Sequence, residues 1–266
     1  MTPEHDLSLT EHVPDPVPEG TPLVVLVHGS LDRAGSFARV ARRLDDLHTV
    51  SYDRRGYHRS RHVTPLHDTL AGHVEDLLAV IAGRPSVVVG HSYGGDIALG
   101  AALRPGGPGP ILAVSAYEPP MPWLGPSATR PRTDGTGDRR PEDDDPAVLA
   151  ERFFRRMVGD SAWDRLPEET KEARRADGPA LAGEIAAIRT TVAPFDVGHL
   201  AVPAVYGRGT ESLPHQRASA DWLVAHTPDA ELIEIDGAAH GAHLTHPDAF
   251  ARLVRRAVAR AAGGSR

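Results

Sequence analysis

Ser86-Val87-Val88-Val89-Gly90-His91-Ser92-Tyr93-Gly94-Gly95 is the stretch on which the reading of this chain turns. The β-branched run Ser86 to Val89 predicts a short buried strand, and the small-residue pattern Asp96 to Leu103 predicts a helix. Between them, Gly-x-Ser-x-Gly forms a sharp strand-to-helix turn, a nucleophile elbow. The residue types have steric reasons: the turn holds the serine in strained backbone, and glycines two residues to either side let strand and helix pass without side-chain clashes. Ser92 is therefore expected to stand out as a hydroxyl nucleophile. A hydroxyl attacks a carbonyl at neutral pH only when a neighbouring base takes its proton, so the elbow requires a histidine and a carboxylate elsewhere in the chain.

Outward from the elbow, β-rich runs alternate with helical patterns. Leu23 to Val27, His48 to Tyr52, Ile111 to Tyr117, Ala201 to Tyr206 and Glu231 to Ile235 join Ser86 to Val89 as predicted strands. Phe37, Val40, Ala41 and Leu44 mark one amphipathic helix, and Leu70, Val74, Leu77, Leu78 and Ile81 another. A last helix starts near Pro247 and buries Phe250, Leu253, Val254 and Val258. This order predicts an α/β fold, a mostly parallel sheet with helices on both faces.

From Pro119 to about His199 the rhythm breaks. A Pro-, Gly- and charge-rich stretch, Gly125 to Pro146, precedes helical segments around Ala147 to Val158, Ala162 to Ala176 and Ala180 to Thr190. An insertion at this point lies over the carboxyl ends of the strands, where an open α/β sheet places its ligand crevice. The expected organisation is a core of residues 1–118 and 200–266 with an inserted helical cap over 119–199. Trp123, Phe153, Phe154, Trp163 and Phe195 belong to the cap and its edges. They suit either the cap's own small core or the apolar roof of a pocket.

Composition narrows the class. A chain of 266 residues with 40% apolar residues can bury a sizeable core. The net charge of −7 disfavours nucleic acid as a partner, and Lys171 is the only lysine among 29 basic residues, which form no basic patch in the sequence. There is no cysteine, so disulfides and thiolate metal sites are excluded. No run reaches membrane-spanning length, and Met1 to Gly20 lacks a continuous apolar stretch. A cytoplasmic enzyme acting on a small molecule is expected, with no membrane partner; oligomeric state is not legible.

Four segments in order resemble the motifs of the α/β-hydrolase superfamily, over nearly the whole chain. Val27-His28-Gly29-Ser30 resembles its His-Gly turn, and Tyr52 to Ser60 resembles its Asp-x-Arg-Gly-x-Gly-x-Ser loop. Gly90 to Gly95 matches its elbow, and Gly237-Ala238-Ala239-His240 resembles its Gly-x-x-His loop. Few residues precede the first confident strand, with Leu7 to His12 the sole strand-like piece, so the family's first two strands are shortened or one is absent.

The resemblance implies His240 as general base, and an imidazole's ordinary pKa near 6.5 suits that role. It implies two backbone N–H groups stabilising an oxyanion: Tyr93 supplies one, Ser30 the other, with Leu31 as the alternative to Ser30. His28 is expected to brace its turn without reacting. His243 and His246 invite a metal reading with His240, but no acidic ligand cluster accompanies them in sequence, and neither metal nor cofactor is expected. His48, His58, His62 and His91 read as surface or packing residues.

The acid departs from the commonest family pattern. Where Gly-x-x-Asp usually stands, Gly207-Arg208-Gly209-Thr210 has a threonine. Two candidates remain: Glu118, ending the strand Ile111 to Tyr117, and Glu211, one residue beyond Thr210. Glu118 is preferred, because some members of the fold carry their acid at that strand. Serine at the elbow favours an acyl-enzyme reaction on an ester, lactone or thioester. The alternative keeps the fold without hydrolysis, as a tailoring cyclase or lyase or as a ligand-binding receptor.

Overall fold

A computed structural model of the chain describes residues 6–17, 19–124, 145–188 and 192–263. The apolar runs pair into a seven-stranded sheet: β1 (Leu9–His12), β2 (Leu23–Val27), β3 (Thr49–Tyr52), β4 (Ser86–His91), β5 (Ile111–Tyr117), β6 (Ala204–Gly209) and β7 (Ala230–Ile235). Their order is β1-β3-β2-β4-β5-β6-β7. All neighbours are parallel except β1, which runs antiparallel along the edge of β3. The strand-like piece near Leu7 is thus one short edge strand, and among the described residues no other precedes β2.

The helices are α1 (Ala38–Ala41), α2 (Leu70–Ile81), α3 (Tyr93–Ala102), α4 (Pro146–Val158), α5 (Asp160–Asp164), α6 (Glu168–Ala176), α7 (Gly178–Ile188), α8 (Pro214–His226), α9 (Ala242–Thr245) and α10 (Pro247–Gly263). Side chains alternate across each strand. Val25, Val27, Val88 and Val114 pack with Val74 and Leu77 of α2, Ile97 and Leu99 of α3 and Leu223 of α8. Val24, Leu26, Val87, Val89 and Val205 pack on the other face with Phe37, Val40 of α1 and Phe250, Leu253 and Val254 of α10. Both faces are buried, which explains why the central strands are continuously apolar and do not alternate with polar residues.

Two predicted helices are revised. The Phe37 to Leu44 pattern buries Phe37, Val40 and Leu44 with Ala41 half-buried, but only four of its residues are α-helical, preceded by a 3-10 turn over Ala34–Phe37. Asp53 Oδ1 accepts the Ala34 amide at 2.8 Å, and Arg43 and Leu44 donate to carbonyls three residues back, so the segment is held in tight turns. The predicted segment Ala162 to Ala176 is two helices, α5 and α6, parted at Pro167. Proline has no N–H to donate to the preceding turn.

Helices α4 to α7 lie between β5 and β6. Leu149 and Ala150 of α4 and Ala180 and Leu181 of α7 form a small core with Leu31 and Tyr57, loop residues that follow β2 and β3. At Gly56, φ +82°, an added Cβ would come 2.7 Å from the Ala180 Cβ, so the β3 loop and α7 are in direct contact. The predicted aromatic group divides. Trp163 is buried beside Phe154, ring centroids 5.3 Å apart, with Arg155 and Arg175 over its faces. Trp123 and Phe195 meet edge to face at 5.9 Å and pack on the main core. Most of the predicted Pro-, Gly- and charge-rich stretch, at 125–144, and the end of the helix expected to reach Thr190 lie outside the described residues.

Candidate active site

Parallel register sets several strand ends level: Val27 lies opposite Gly90, His91 opposite Tyr117, and Tyr117 opposite Gly207. The residues that follow β2, β4, β5 and β6 therefore emerge together. Ser92 alone spans the gap between β4 and α3, with φ 53° and ψ −130°, a region costly for any residue with a Cβ. Its amide donates to the Tyr117 carbonyl at 2.9 Å, and its carbonyl accepts from Gly95 at 2.7 Å. A Cβ at Gly90 would collide with the Gly94 carbonyl, and one at Gly94 with the Val27 carbonyl. The two glycines are thus required by backbone-to-backbone contact on both sides of the turn.

The His-Gly turn rests against the elbow, since a Cβ on Gly29 would come 2.8 Å from the Ser92 Cβ. His28 is fully buried. Its Nε2 accepts the Arg54 amide at 2.9 Å, which leaves Nδ1 as the protonated nitrogen, donating to the Gly29 carbonyl at 2.8 Å. Burial and the Arg54 charge lower its pKa to about 3, so it is a neutral brace. Ser30 follows in the turn, and Leu31 adopts φ 55° with its carbonyl accepting from Arg174 at 2.6 Å. Tyr93 is the first residue of α3, a position whose amide has no partner within the helix.

Glu118 leaves β5 with φ 47°, and its side chain is completely buried. Oε2 lies 2.8 Å from His240 Nδ1; Oε1 accepts from the Gly209 amide at 2.8 Å and from the Ser212 hydroxyl. Burial acts to raise the pKa of this carboxyl, but the hydrogen bonds from His240, Ser212 and Gly209 outweigh it and hold the value below that of an ordinary glutamate. An ionised Glu118 fixes the neutral imidazole with its proton on Nδ1, so Nε2 carries the lone pair. Glu211, the other candidate, is exposed, and its amide donates to the Ala238 carbonyl at 2.9 Å. The Thr210 hydroxyl accepts from the Gly237 amide at 2.8 Å.

Several contributing residues had no role in the sequence reading. His91, read as a surface or packing residue, is buried and donates from Nε2 to the His240 carbonyl at 2.8 Å. The Tyr117 hydroxyl donates to the Ala239 carbonyl at 3.0 Å. These two bonds tie the His240 loop to the elbow and to β5. His91 stands beside the serine in the motif, so its position was visible, but its partner is 149 residues away. His58 occupies the place of the family's second glycine in the Asp-x-Arg-Gly-x-Gly loop. It adopts φ 46° and pairs with Asp53 at 2.9 Å.

The His240, His243 and His246 trio does not converge: His240 faces Glu118, whereas the His246 Nδ1 meets the Thr245 hydroxyl at 2.9 Å. Donor atoms of Asp32, His91 and His243 do gather, all within 4.8 Å of one another. The His91 and His243 rings pack together with centroids 4.1 Å apart, and His243 Nε2 is 3.3 Å from Asp32. An open, charged groove of about 640 Å³ on α4, lined by Glu151, Arg152 and Arg155 among others, includes none of the predicted site residues. No helix among the described residues is long and apolar enough to cross a membrane.

A model of the alpha/beta hydrolase family matches residues 24–253, and the chain belongs to that family. It is 31% identical over 249 residues to the polyketide synthase ThaQ of Burkholderia thailandensis, a match covering 86% of this chain and 11% of that protein. It is 36% identical over 88 residues to the uncharacterized hydrolase YraK of Bacillus subtilis, covering 31% of this chain and 32% of that protein. The chain thus matches only a minor part of the length of these curated relatives. Among solved structures, the enol-lactonase from Burkholderia xenovorans LB400 superposes with a TM-score of 0.70 at 21% identity, covering 95% of this chain and 96% of that one. A hydrolase from Oleispira antarctica gives 0.72 at 15% identity, with 94% of each chain covered. The thermophilic esterase from Thermogutta terrifontis gives 0.67 at 17%, covering 96% and 93%. At such identities the likeness is one of fold.

Proposed function

We propose that this member of the alpha/beta hydrolase family is a serine hydrolase that cleaves a small ester, lactone or thioester through an acyl-enzyme. The observation that carries this reading is the 2.8 Å bond between the buried Glu118 carboxylate and His240 Nδ1, built at the strand ends that flank the strained Ser92. In this mechanism His240 Nε2 takes the Ser92 proton as Oγ attacks the substrate carbonyl. The amides of Ser30 and Tyr93 stabilise the oxyanion, on the order of 3 kcal/mol each. His240 then returns the proton to the leaving alcohol or thiol as the acyl–oxygen or acyl–sulfur bond breaks. Water, deprotonated by the same nitrogen, attacks the acyl-serine; the acyl–Oγ bond breaks, Ser92 Oγ takes the proton back from His240, and the carboxylic acid is released. Glu118 orients the ring and balances the imidazolium charge.

Residues 119–199 serve in this reading as a helical cap over the site, with 1–118 and 200–266 as the core. The contact of α4 and α7 with Leu31 and Tyr57 supports it, because those residues flank the oxyanion turn and the β3 loop. A cap of this size suits short to medium acyl chains. The test is mass addition by a fluorophosphonate at Ser92, followed by turnover of p-nitrophenyl esters of increasing chain length. An unlabelled, folded protein would favour a ligand-binding receptor, and a preference for chains well beyond octanoyl would count against the expectation drawn from the size of the cap.

The similarity to a segment of a polyketide synthase favours a second reading with the same first step. The acyl group on Ser92 then passes to a hydroxyl of the substrate itself, giving a cyclised product. Product analysis with a hydroxyacyl thioester separates the two: free acid indicates hydrolysis, lactone indicates cyclisation.

A further inference from the structure

Arg54 is a fully buried guanidinium at the junction of three parts of the molecule, with a side chain 1% exposed. Its Nε donates to the His28 carbonyl at 2.9 Å and its Nη2 to the Gly29 carbonyl at 3.0 Å. Its Nη1 donates to Glu184 of α7, whose side chain is also fully buried. The guanidinium carbon stands 4.9 Å from the Tyr57 ring centre and 5.4 Å from that of Tyr93. One charge therefore touches the His-Gly turn, the residue after Ser92 and the helical segment between β5 and β6.

The peptide plane gives this contact a consequence. Gly29 C=O and Ser30 N–H belong to one trans peptide group and point in opposite directions. Two donors, Arg54 Nη2 and His28 Nδ1, hold that carbonyl, so the direction of the Ser30 amide is fixed from behind. We propose that Arg54, anchored by Glu184 from the helical segment, is a positioning residue that aims the Ser30 amide at the oxyanion and so couples docking of that segment to catalysis. The proposal rests on the reading of Ser30 as an oxyanion donor. Lysine cannot take over the role, because a single ammonium lacks the planar fork that spans all three acceptors.

The test uses the full chain, p-nitrophenyl acetate as substrate and a trifluoromethyl ketone as mimic of the tetrahedral adduct. Removing one partner leaves a buried unpaired charge, so the informative variant is the pair Arg54→Met with Glu184→Leu, which removes both charges together and spares the fold. Expected are a melting temperature near the parent's, kcat lowered roughly 10- to 100-fold, and KM within about twofold. Affinity for the ketone should fall in step with kcat/KM, since only a misdirected amide weakens the oxyanion selectively. Arg54→Lys should show the same loss of kcat without rescue. A folded double variant that matches the parent in kcat and ketone affinity, or that changes KM alone, overturns the proposal. Should the double variant not fold, Arg54→Lys and Glu184→Gln are read by the same criteria. Labelling of Ser92 in the parent is scored first: a parent that is neither labelled nor active overturns the hydrolase reading, a failure separate from that of Arg54.

Discussion

The ends of β5 and β6 lie side by side, each is followed closely by a glutamate, and the two glutamates have opposite fates. Glu118 turns inward through a left-handed backbone, is buried, and holds His240 with Oε2 and two donors with Oε1. Glu211 stays in solvent and contributes only its amide, to Ala238. The β6 end nevertheless participates: after His240, its Ser212 hydroxyl and Gly209 amide are the donors that help hold the Glu118 carboxyl below its ordinary pKa. The difference shows that donors and burial together set the charge and direction of a carboxylate, and that one strand end can hold the carboxylate while its neighbour supplies the cradle.

The sharpest way to break this comparison begins with the groups that both candidate acids would serve. Ser92→Ala and His240→Ala are each expected to lower kcat by about 10⁴-fold or more in ester turnover, with no further loss in the double variant, since the two act as a unit. Half-maximal activity in Ser92→Ala would remove the covalent mechanism. Next, Glu118→Gln should cost roughly 10³- to 10⁴-fold, because an amide can leave the ring in the wrong tautomer and carries no charge. Glu211→Gln should cost less than about twofold. The reverse result, read from the same assay, would transfer the acid to the β6 end.

Ser212→Ala tests the cradle itself. Loss of one hydrogen bond to the carboxylate is expected to reduce kcat about 10-fold, near 1.4 kcal/mol, and to shift the Glu118 carboxyl signal upward in an NMR titration. An unchanged titration would mean that the β6 end only neighbours the acid.

The smallest effect is on stability against pH. Burial is the main influence that lowers the pKa of His28, His73 and His91, to about 3 for His28. Such groups bind protons more readily unfolded, so their contribution is complete above about 6.5 and is lost as pH falls towards the folded value. Glu118, also lowered, contributes above its unfolded value near 4.3 and loses that contribution as pH falls through its folded value. Thermal melts should therefore weaken from pH 6.5 downward in the parent and in Glu118→Gln alike, with the two curves converging only below about pH 4. Convergence already at pH 6 would mean that Glu118 is not held ionised by its donors.

Much of the fold was legible because it depends on local pattern. Three of the six predicted strands share their first residue with the observed ones, and the elbow's glycines and serine follow from backbone geometry over six residues. Helix α8 left no comparable trace: of its residues only a few, such as Ala220 and Leu223, are fully buried apolar ones, too few for a clear periodicity. The split at Pro167 was written in the sequence and was overridden by the helical pattern around it. The bonds from Tyr117 to Ala239 and from His91 to His240 were invisible, since each joins residues more than a hundred positions apart.

By itself the sequence determined the strand-turn-helix at Ser92 and the alternation that makes a parallel sheet covered on both faces. These are short-range consequences of sterics and hydrophobic periodicity. It also left two glutamates as candidates for the acid without separating them by chemistry, because both are the same residue type near the end of a strand. Only the tertiary structure separated them, through parallel register that levels β5 with β6, a left-handed turn at Glu118, and donors drawn from another strand end. Burial and hydrogen bonding between distant segments set the charge and direction of a side chain, and neither is a property of the residues that precede or follow it.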